Sequence, residues 1–374
     1  MNRSFVTLIA GTRPNFMKVA PVLRALEARG IAARLVHTGQ HYDEMMSDVF
    51  FRDLQMRPPE ARLVCEGKSH AQQTASVLTR VEEELVAHRP DAIIVVGDVT
   101  STFASALAAS KLGIPVVHLE AGLRSNDWSM PEEINRVLTD RLSDLLLAPS
   151  HDALPNLIAE GIAPDRVVMV GNVMIDSLRF AAGQPTDVAG RVGVRPKQFI
   201  LATIHRPSNV DEVGALTSTM EILERLATAA PVLFPVHPRT RDRLGKANLA
   251  PASNSAVRLI DPLGYRDFTT LMSQALLVAT DSGGVQEETT ALQVPCLTLR
   301  ENTERPVTVT DGTNVVVGRN LALISDWLER AVRGEWKESR VPEGWDGRAG
   351  ERVAHAIERF LAGTPASRFP KLPS

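Results

Sequence analysis

Short apolar runs, each long enough for one buried strand, alternate along the chain with segments whose apolar residues recur at helical spacing. The runs lie at 5–10, 35–38, 91–96, 115–119, 145–148 and 167–170, and then at 199–203, 231–236, 257–260, 276–280, 295–299 and 314–317. Such alternation is typical of parallel sheets covered by helices. We predict an α/β protein with two Rossmann-like doubly wound domains and a cleft between them.

The division between the two halves is predicted to follow Asn172. A chain of 374 residues is long for a single hydrophobic core, which also favours two domains. Residues 1–172 form the predicted N-terminal domain, and residues 173–355 form the predicted C-terminal domain. The stretch 173–196 contains three glycines and two prolines, and we interpret it as loop and linker backbone between the domains.

Composition and charge narrow the class of protein. The formal net charge of −3 argues against a nucleic-acid partner. No apolar run approaches the roughly 18 residues of a membrane span, and the N-terminal residues lack signal-peptide architecture. Cys65 and Cys296 lie far apart without metal-ligand spacing, which suits a reducing compartment. These features predict a cytoplasmic protein with neither a membrane nor a nucleic-acid partner.

A glycine-rich turn follows the run at 276–280. Ser282, Gly283 and Gly284 stand directly before a predicted helix. Adjacent glycines in a first turn cost roughly 1 kcal/mol each against alanine. In exchange, they leave backbone amides open to a ligand at the positive end of the helix dipole. The turn therefore predicts an anion site, although an N-cap serine followed by a tight turn would explain the same residues.

Carboxylates and a polar loop lie close to this turn. Glu287 and Glu288 stand one turn into the helix, where they could complement its dipole or accept hydrogen bonds from a ribose diol. The loop 300–306, which includes Arg305, follows the next strand. Because ligands of open α/β sheets lie at the carboxyl ends of the strands, these segments predict a site for a nucleoside diphosphate.

Three acidic residues in the first half follow a related pattern. Asp98 and Glu120 end two buried strands, and Glu132 lies at the start of a helix. A single acid at such a place is usually a cap or a solvated residue. Three acids facing one cleft could instead exchange protons, because crowded carboxylates raise one another's pKa. Oxygen ligands would also suit magnesium, so a metal cage stays open as an alternative.

Several cationic or titratable side chains are predicted to face the same cleft. Arg13 and Lys18 flank the first strand-to-helix turn, where they form either an anion clamp or two solvated surface cations. His205 and His237 follow strands of the second half, and each could be a capping imidazole or part of the site. His41 and His118 are weaker candidates, and His118 is expected to be packed inside. Because these cationic side chains could neutralise a diphosphate without a metal ion, we predict no metal in the site.

Taken together, these motifs resemble the non-hydrolysing UDP-N-acetylglucosamine 2-epimerase family. The order and spacing of the motifs match over roughly residues 5 to 360. The matching segments are Gly11-Thr12-Arg13-Pro14 with Lys18, Gly97-Asp98, Glu120-Ala121-Gly122-Leu123-Arg124, Pro131-Glu132-Glu133-Ile134-Asn135-Arg136, Gly171-Asn172, His205-Arg206, Pro235-Val236-His237-Pro238, Asp281-Ser282-Gly283-Gly284 with Glu287-Glu288, and Thr303-Glu304-Arg305-Pro306.

The resemblance implies a fold like that of B-type glycosyltransferases, in which residues 356–374 form a C-terminal helix and tail that return to the first domain. It also implies a homodimer that acts on a UDP-linked amino sugar without cofactor. The family's catalytic acids correspond to Asp98, Glu120 and Glu132, and its catalytic basic groups correspond to Arg13, Lys18 and His205. Its UDP contacts correspond to His237, Phe268, Ser282, Gly283, Gly284, Glu288 and Arg305.

The implied reaction is anti elimination of UDP to 2-acetamidoglucal, followed by re-addition after protonation on the opposite face of C2. Cations around the departing diphosphate and a carboxylate near C2 would stabilise the charge that develops. Acids on opposite faces of the ring let a proton leave from one side and return on the other. The expected outcome is conversion of UDP-N-acetylglucosamine to UDP-N-acetylmannosamine.

Two departures from the family pattern leave alternatives open. The run His205-Arg206-Pro207-Ser208 stands where many members have His-Arg-Arg-Glu, so the sugar could carry further groups at C3 or C6. Residues 40–43 depart from members that a second substrate molecule activates, so such activation is also open. A hydrolysing epimerase would use the same residues. A glycosyltransferase and a catalytically silent sensor are disfavoured, because neither needs three strand-end acids.

Overall fold

The chain folds into two compact units, each built around one parallel β-sheet. A computed structural model describes residues 4–39 and 51–363, except for the side chains of Arg13 and Pro207. One unit contains residues 1–177 together with 343–374, and the other contains residues 178–342. The divisions predicted from the sequence follow residues 172 and 355. In the structure, Asp176 caps the last helix of the first unit by accepting from the amides of Ala349 and Gly350.

Within residues 4–39, 51–177 and 343–363, the first unit carries seven parallel strands in the order β3-β2-β1-β4-β5-β6-β7. Its elements are β1 (Phe5–Ala10), α1 (Arg13–Ala28), β2 (Ala32–His37), β3 (Ala61–Arg62), α2 (His70–Ala87), β4 (Ala92–Val96), α3 (Thr100–Lys111), β5 (Val116–Leu119), α4 (Pro131–Leu142), β6 (Leu145–Ala148), α5 (Ala153–Ala159), a 3₁₀ turn (Pro164–Arg166), β7 (Val167–Met169) and α6 (Val173–Ala182), within which the chain passes to the second unit. The central strands β4, β5 and β6 are buried along their whole lengths, as expected when helices cover both faces of a sheet.

The second unit carries six parallel strands in the order β10-β9-β8-β11-β12-β13. Its elements are α7 (Val188–Arg191), β8 (Ile200–Thr203), α8 (Pro207–Val210), α9 (Val213–Ala227), β9 (Val232–Pro235), α10 (Pro238–Lys246), β10 (Val257–Ile260), α11 (Tyr265–Gln274), β11 (Leu277–Thr280), α12 (Gly283–Leu292), β12 (Cys296–Thr298), α13 (Pro306–Thr310), β13 (Asn314–Val316) and α14 (Leu321–Arg333). The last helix, α15 (Ala349–Gly363), packs on α1 in the first unit.

The predicted α/β class is confirmed, and each predicted apolar run contains a strand of the structure except the run 35–38, which overlaps only the second half of β2. Two details differ from the sequence analysis. Residues Val173–Ala182 form a helix instead of a linker, because Ile175, Leu178 and Ala181 form a buried face that the later glycines and prolines concealed. Strand β3 was not predicted, since its two residues carry no apolar run. No helix in the described ranges combines the length and apolarity needed to cross a bilayer.

The strand orders contain one switch point in each sheet. In the first unit, β1 pairs with β2 on one side and with β4 on the other. In the second unit, β8 pairs with β9 on one side and with β11 on the other. Chain connections leave such neighbouring strands in opposite directions, which opens a crevice at their carboxyl ends. The turns that follow β1, β4, β8 and β11 are therefore the expected places for ligand groups.

Candidate active site

The turns after β1 and β4 are joined by the side chain of Asn15. Its Oδ1 accepts from the amides of Gly11 and Thr12, at 3.0 and 2.9 Å. Its Nδ2 donates to the carbonyl oxygen of Val96, at 3.3 Å. Asn15 lies at the third position of α1, so the first turn of this helix binds the carboxyl ends of both strands. The switch point of the first unit is held by side-chain hydrogen bonds as well as by the sheet.

Lys18 and Glu120 meet beside Gly97. The ammonium group of Lys18 forms an ion pair with Oε2 of Glu120, and both side chains are about nine-tenths buried. A Cβ atom on Gly97 would lie 3.3 Å from Lys18 Nζ and 3.9 Å from Glu120 Oε2. Glycine at 97, with φ of +70°, therefore leaves space for this pair. Two of the predicted catalytic residues are thus brought together next to the residue that precedes Asp98.

Glu120 has a left-handed backbone conformation, with φ of 74°. Such a conformation costs of order 1–3 kcal/mol for a residue other than glycine, and it persists where the surroundings determine it. Here the amides of Glu120 and Ala121 both donate to the carbonyl oxygen of Leu147, at 3.1 Å each. The turn presents a carboxylate at the end of β5 with the backbone strain that functional positions frequently show.

Asp98 forms an ion pair with Arg136 of α4. Arg136 contacts Asp98 Oδ2 and also donates to Oε2 of Glu133, at 2.9 Å. Glu133 is buried and accepts from the amides of Ser125 and Asn126, at 3.0 and 2.8 Å. Asp98 itself stays about one-quarter exposed. Its carboxylate is therefore oriented by a buried guanidinium and remains accessible to a ligand.

The remaining predicted residues of the first unit are an exposed acid, a buried histidine and two residues whose side chains lie outside the described parts of the chain. Glu132 is exposed on the first turn of α4, one residue before the buried Glu133. The side chain of Arg13 and the whole of His41 lie outside the described residues. His118 is fully buried within β5, as expected. Within residues 4–39 and 51–363, no three His, Cys, Asp or Glu side chains are placed to hold a metal ion.

In the second unit, Asp281 organises the turn that carries His205. Asp281 is fully buried after β11 and accepts from the amides of His205 and Arg206, at 3.1 and 2.9 Å. Asn209 Nδ2 donates to the same carboxylate at 2.9 Å. The imidazole of His205 is 61% exposed, and its Nδ1 lies 3.3 Å from Asp281 Oδ1. His205 is thus held at its base while its ring stays available to a ligand.

The glycine-rich turn after β11 begins helix α12. Ser282 is the N-cap residue, but its side chain forms no capping hydrogen bond. Gly283 and Gly284 are the first two helical residues, and no side chain of the N-cap satisfies the amides of this turn. A Cβ atom on Gly283 would lie 2.9 Å from Oε1 of Glu304. The predicted role of Ser282 as a simple N-cap is therefore incomplete, and the uncapped turn retains its ability to bind an anion.

Arginines surround Glu304 beside this turn. Arg300 donates to Glu304 Oε2 at 2.6 Å, and Arg206 donates to Oε1 at 3.2 Å. Although burial alone would raise the pKa of Glu304, the charges of Arg305, Arg300 and Arg206 lower it to about 2. Arg305 in turn pairs with Glu287, with Nε and Oε1 at 2.8 Å. This charge cluster supplies more guanidinium than carboxylate groups next to the uncapped helix.

Glu288 is buried beneath the same helix turn. Tyr265 of α11 donates its hydroxyl hydrogen to Glu288 Oε1 at 2.8 Å. Burial raises the pKa of Glu288 to about 7; the Tyr265 hydrogen bond opposes this rise, and the neighbouring Glu287 charge adds to it. Glu288 therefore changes its protonation near neutral pH within a part of the second unit where UDP contacts are predicted.

The raised pKa of Glu288 predicts a pH dependence of stability. The folded state holds a proton that the unfolded chain releases near pH 4.5, so stability falls as pH rises from 4.5 to about 7. The size of this fall is about 3 kcal/mol. Glu288→Gln carries no charge, so its stability relative to the original protein should increase from pH 5 to pH 8. Urea unfolding across that range measures the difference, and Glu338→Gln is an exposed control that should show none. A pH-independent difference for Glu288→Gln would contradict the assignment.

His237 and Phe268 complete the predicted residues of the second unit. His237 follows β9 and is exposed, and its Nδ1 accepts from the amide of Arg239 at 3.2 Å, so the imidazole caps α10. Phe268 is half-buried on α11, one turn after Tyr265. Because β9 neighbours β8 in a parallel sheet, His237 lies at the same sheet edge as His205.

Several residues of these clusters were not predicted from the sequence. Arg136, Arg206, Arg300 and Tyr265 act on predicted residues as hydrogen-bond partners. Arg136 and Tyr265 lie in helices, whereas Arg206 and Arg300 follow strands but were not singled out as site residues. Asp281 could have been found, because it follows a buried strand as Asp98 does. In the sequence, Asp281 stands directly before Ser282 and the two glycines, so the glycine-rich turn concealed its place at a strand end.

Comparisons with known proteins identify the family of the chain. A family model described as UDP-N-acetylglucosamine 2-epimerase matches residues 24–358. The UDP-N-acetylglucosamine 2-epimerase of Methanocaldococcus jannaschii is 40% identical over 94% of this chain and 98% of its own. The UDP-2,3-diacetamido-2,3-dideoxy-D-glucuronate 2-epimerase of Pseudomonas aeruginosa is 43% identical over 95% of this chain and 99% of its own.

Solved structures of UDP-N-acetylglucosamine 2-epimerases are also similar to this chain. The crystal structure of the Methanocaldococcus jannaschii enzyme in complex with UDP-GlcNAc and UDP gives a TM-score of 0.86, covering 95% of this chain and 99% of that one, at 40% identity. The crystal structure described as the glycosyltransferase of kitacinnamycin gives a TM-score of 0.58, covering 96% of this chain and 99% of that one. At 13% identity it bears on the fold alone, and it agrees with the B-type glycosyltransferase-like class. By motifs, sequence identity and fold, the chain belongs to the UDP-N-acetylglucosamine 2-epimerase family.

Proposed function

We propose that the protein inverts C2 of a UDP-linked N-acetyl amino sugar, converting UDP-N-acetylglucosamine to UDP-N-acetylmannosamine without releasing the free sugar. The observation that carries the proposal is the strained Glu120 turn, whose carboxylate meets Lys18 beside Gly97 and next to Asp98. This arrangement supports proton transfer, because it collects two acids and an ammonium group at a sheet switch point.

In the proposed reaction, a carboxylate of the first unit removes the C2 proton as the C1–O bond breaks. The electron pair of the C2–H bond forms the C1–C2 double bond, and UDP departs with the electron pair of the C1–O bond. The product is 2-acetamidoglucal. A second acid then protonates C2 on the opposite face while a diphosphate oxygen attacks C1 again. Asp98, Glu120 and Glu132 are the proposed acids, with Lys18, Arg13 and His205 stabilising the departing charge.

The second unit is proposed to bind UDP. The uncapped first turn of α12, at Ser282, Gly283 and Gly284, suits the diphosphate, and Arg305 brings positive charge to it. Glu288 is proposed to accept from the ribose hydroxyls, while His237 and Phe268 contact the nucleotide. The proposal requires no metal or other cofactor, since side chains and helix amides meet the diphosphate charge.

UDP should therefore stabilise the protein more than uridine does. At 100 times its dissociation constant, a ligand adds about 2.7 kcal/mol to the free energy of unfolding. We expect a clear rise in the melting temperature with UDP and a much smaller rise with uridine at equal concentration, because uridine lacks the diphosphate. Thermal unfolding with each ligand measures this. Equal melting-temperature shifts with UDP and with uridine would contradict the assignment of this site to the diphosphate.

Product analysis separates this proposal from a hydrolysing epimerase. Incubation with UDP-N-acetylglucosamine should yield a mixture of the two UDP-sugars, with total UDP-sugar unchanged. Accumulation of UDP together with free N-acetylmannosamine would instead support hydrolysis by the same residues. Anion-exchange chromatography of the nucleotides, with separate assay of free sugar, distinguishes the outcomes. The proposal includes a homodimeric, cytoplasmic enzyme, and light scattering of the full chain tests the dimer.

A C3- or C6-modified UDP-amino sugar is the second candidate substrate. It is favoured by the 43% identity to the diacetamido-glucuronate epimerase and by Pro207-Ser208, which replace the more usual Arg-Glu pair. To test this candidate, kcat/KM is measured for UDP-N-acetylglucosamine and for UDP-2,3-diacetamido-2,3-dideoxy-D-glucuronate. A ratio above 100 in favour of the second substrate would replace the first candidate.

A further inference from the structure

A fully buried histidine connects the turns that carry Asp98 and Glu120. His118 lies in β5, with Nε2 at 2.8 Å from the carbonyl oxygen of Gly97 and Nδ1 at 2.6 Å from Oδ1 of Asp140. A carbonyl oxygen only accepts hydrogen bonds, so Nε2 must donate to Gly97. Gly97 immediately precedes Asp98, and its own amide donates to the carbonyl oxygen of Leu119 at 3.0 Å. Both peptide groups of Gly97 are thus attached to β5.

The second carboxylate oxygen of Asp140 reaches the other turn. It accepts from the amide of Gly122 at 3.1 Å and from Arg124 at 2.7 Å. Arg124 also donates two hydrogen bonds to Glu160, at 2.6 and 2.7 Å. Gly122 stands two residues after Glu120 and has φ of +84°, so it belongs to the same left-handed turn. One chain of buried hydrogen bonds therefore runs from the turn before Asp98 to the turn after Glu120.

Three members of this chain are buried: His118 and Asp140 are fully buried, and the side chain of Arg124 is 3% exposed. Although burial alone would raise the pKa of Asp140, the charges and hydrogen bonds of His118 and Arg124 hold it below its ordinary value. The Asp140 carboxylate thereby links the His118 ring to Gly122 and Arg124. Apolar side chains of the same volume would pack this interior without the desolvation of several charges. The hydrogen bonds fix the orientation of the His118 ring and of the two turns, which apolar packing alone would not do.

We infer that His118 is a positioning residue for the proposed proton transfer, acting through its hydrogen bond to the Gly97 carbonyl, and that Asp140 orients its ring. The inference rests on the proposed roles of Asp98 and Glu120. Both acids must keep their places relative to the sugar ring, and a displacement of 1 Å can cost about 10²-fold in rate. The His118–Gly97 bond fixes the Asp98 turn against β5, whose end carries Glu120.

Two substitutions at His118 separate its two hydrogen bonds. In His118→Gln, the amide nitrogen reaches the position of Nε2 and can still donate to Gly97, whereas contact with Asp140 is lost. In His118→Asn, the amide corresponds to Nδ1, so contact with Asp140 is kept and the Gly97 bond is lost. Both replace the imidazole ring by an uncharged amide. We expect His118→Asn to lower kcat by 10- to 100-fold, and His118→Gln to stay within a few-fold of the original.

Controls distinguish positioning from stability. UDP affinity should be unchanged in both variants, because the proposed UDP contacts lie in the other unit. Val81→Ala truncates a buried side chain of α2 in the same unit and should lower the melting temperature without lowering kcat of the folded protein. Equal kcat for His118→Asn and His118→Gln would overturn the inference. So would a kcat that follows the melting temperature across all three variants.

Two further variants keep the test decisive. Asp98→Asn is assayed in parallel: full turnover there would refute the proposed acid–base function itself, whereas loss there with equal His118 variants would refute only the positioning role. If His118→Asn does not fold, Asp140→Asn replaces it. Its amide can donate to Nδ1 while its oxygen accepts from Gly122 and Arg124, so the Gly97 bond survives. Folded Asp140→Asn should keep kcat within a few-fold, and a fall beyond tenfold would contradict the inference.

Discussion

Asp98→Asn and Glu120→Gln should each lower turnover by 10²–10⁴-fold, the usual contribution of a positioned acid or base. Each amide keeps nearly the shape of the side chain but cannot take or release a proton. Asp98→Asn leaves Arg136 paired with the buried Glu133, so the fold around it should persist. UDP affinity should also persist, because its proposed contacts are in the second unit. Steady-state kinetics and UDP titration measure the two quantities separately.

Asp91→Asn is a matched control for Asp98→Asn. Asp91 precedes the same strand, β4, at its opposite end and accepts from the amide of Phe5 at 2.8 Å. This change should leave turnover intact. If Asp98 and Glu120 only capped their turns, each amide would cost roughly 1 kcal/mol of stability and spare the reaction. Near-normal turnover in both variants would therefore exclude the proposed acid–base mechanism, however closely the motifs match.

Arg305→Ala should reduce both UDP affinity and stability. Arg305 and Glu287 are about 95% buried and form an ion pair at 2.8 Å. Removal of one partner from a buried pair costs 3–5 kcal/mol, because the remaining charge keeps its desolvation penalty. The change also removes positive charge next to the first turn of α12, so UDP should bind more weakly. Urea unfolding and UDP titration measure the two effects.

A second substitution separates these two effects. In Arg305→Ala/Glu287→Gln, the buried carboxylate is neutral, so most of the lost stability should return while UDP affinity remains weak. Arg340→Ala is the surface control. Arg340 pairs with Asp311 in the same unit but is 78% exposed, so its loss should cost 0–1 kcal/mol. If the double variant regained UDP affinity as well, Arg305 would act only through stability, and its assignment to the nucleotide would be wrong.

The sequence predicted the fold and the positions of the strand-end turns, because both depend on local patterns. Buried parallel strands such as β4 are continuous apolar runs, and the residues that follow them reach one edge of the sheet. Asp98, Glu120 and Ser282 were found in this way. The same rule would have found Asp281, whose carboxylate orders the His205 turn.

The partners of those residues depend on tertiary contacts that no local pattern contains. Glu132 and Glu133 are adjacent acids in the same helix turn, and only the packing of α4 decides that Glu133 faces inward to Arg136. Tyr265 reads as an ordinary apolar residue of a helix, yet its hydroxyl is the hydrogen-bond partner of Glu288. A strand-sized apolar run likewise gives no sign that His118 is a hydrogen-bonding residue inside it.

Proton NMR of UDP-N-acetylglucosamine with the protein in D2O tests the central claim most directly. If a carboxylate removes the C2 proton and another acid returns one, UDP-N-acetylmannosamine should appear with deuterium at C2, and the C2 proton signal of the substrate should decline. Asp98→Asn and Glu120→Gln should incorporate deuterium far more slowly under the same conditions. Formation of UDP-N-acetylmannosamine that retains its original C2 proton would contradict proton exchange at C2, and with it the mechanism proposed for this site.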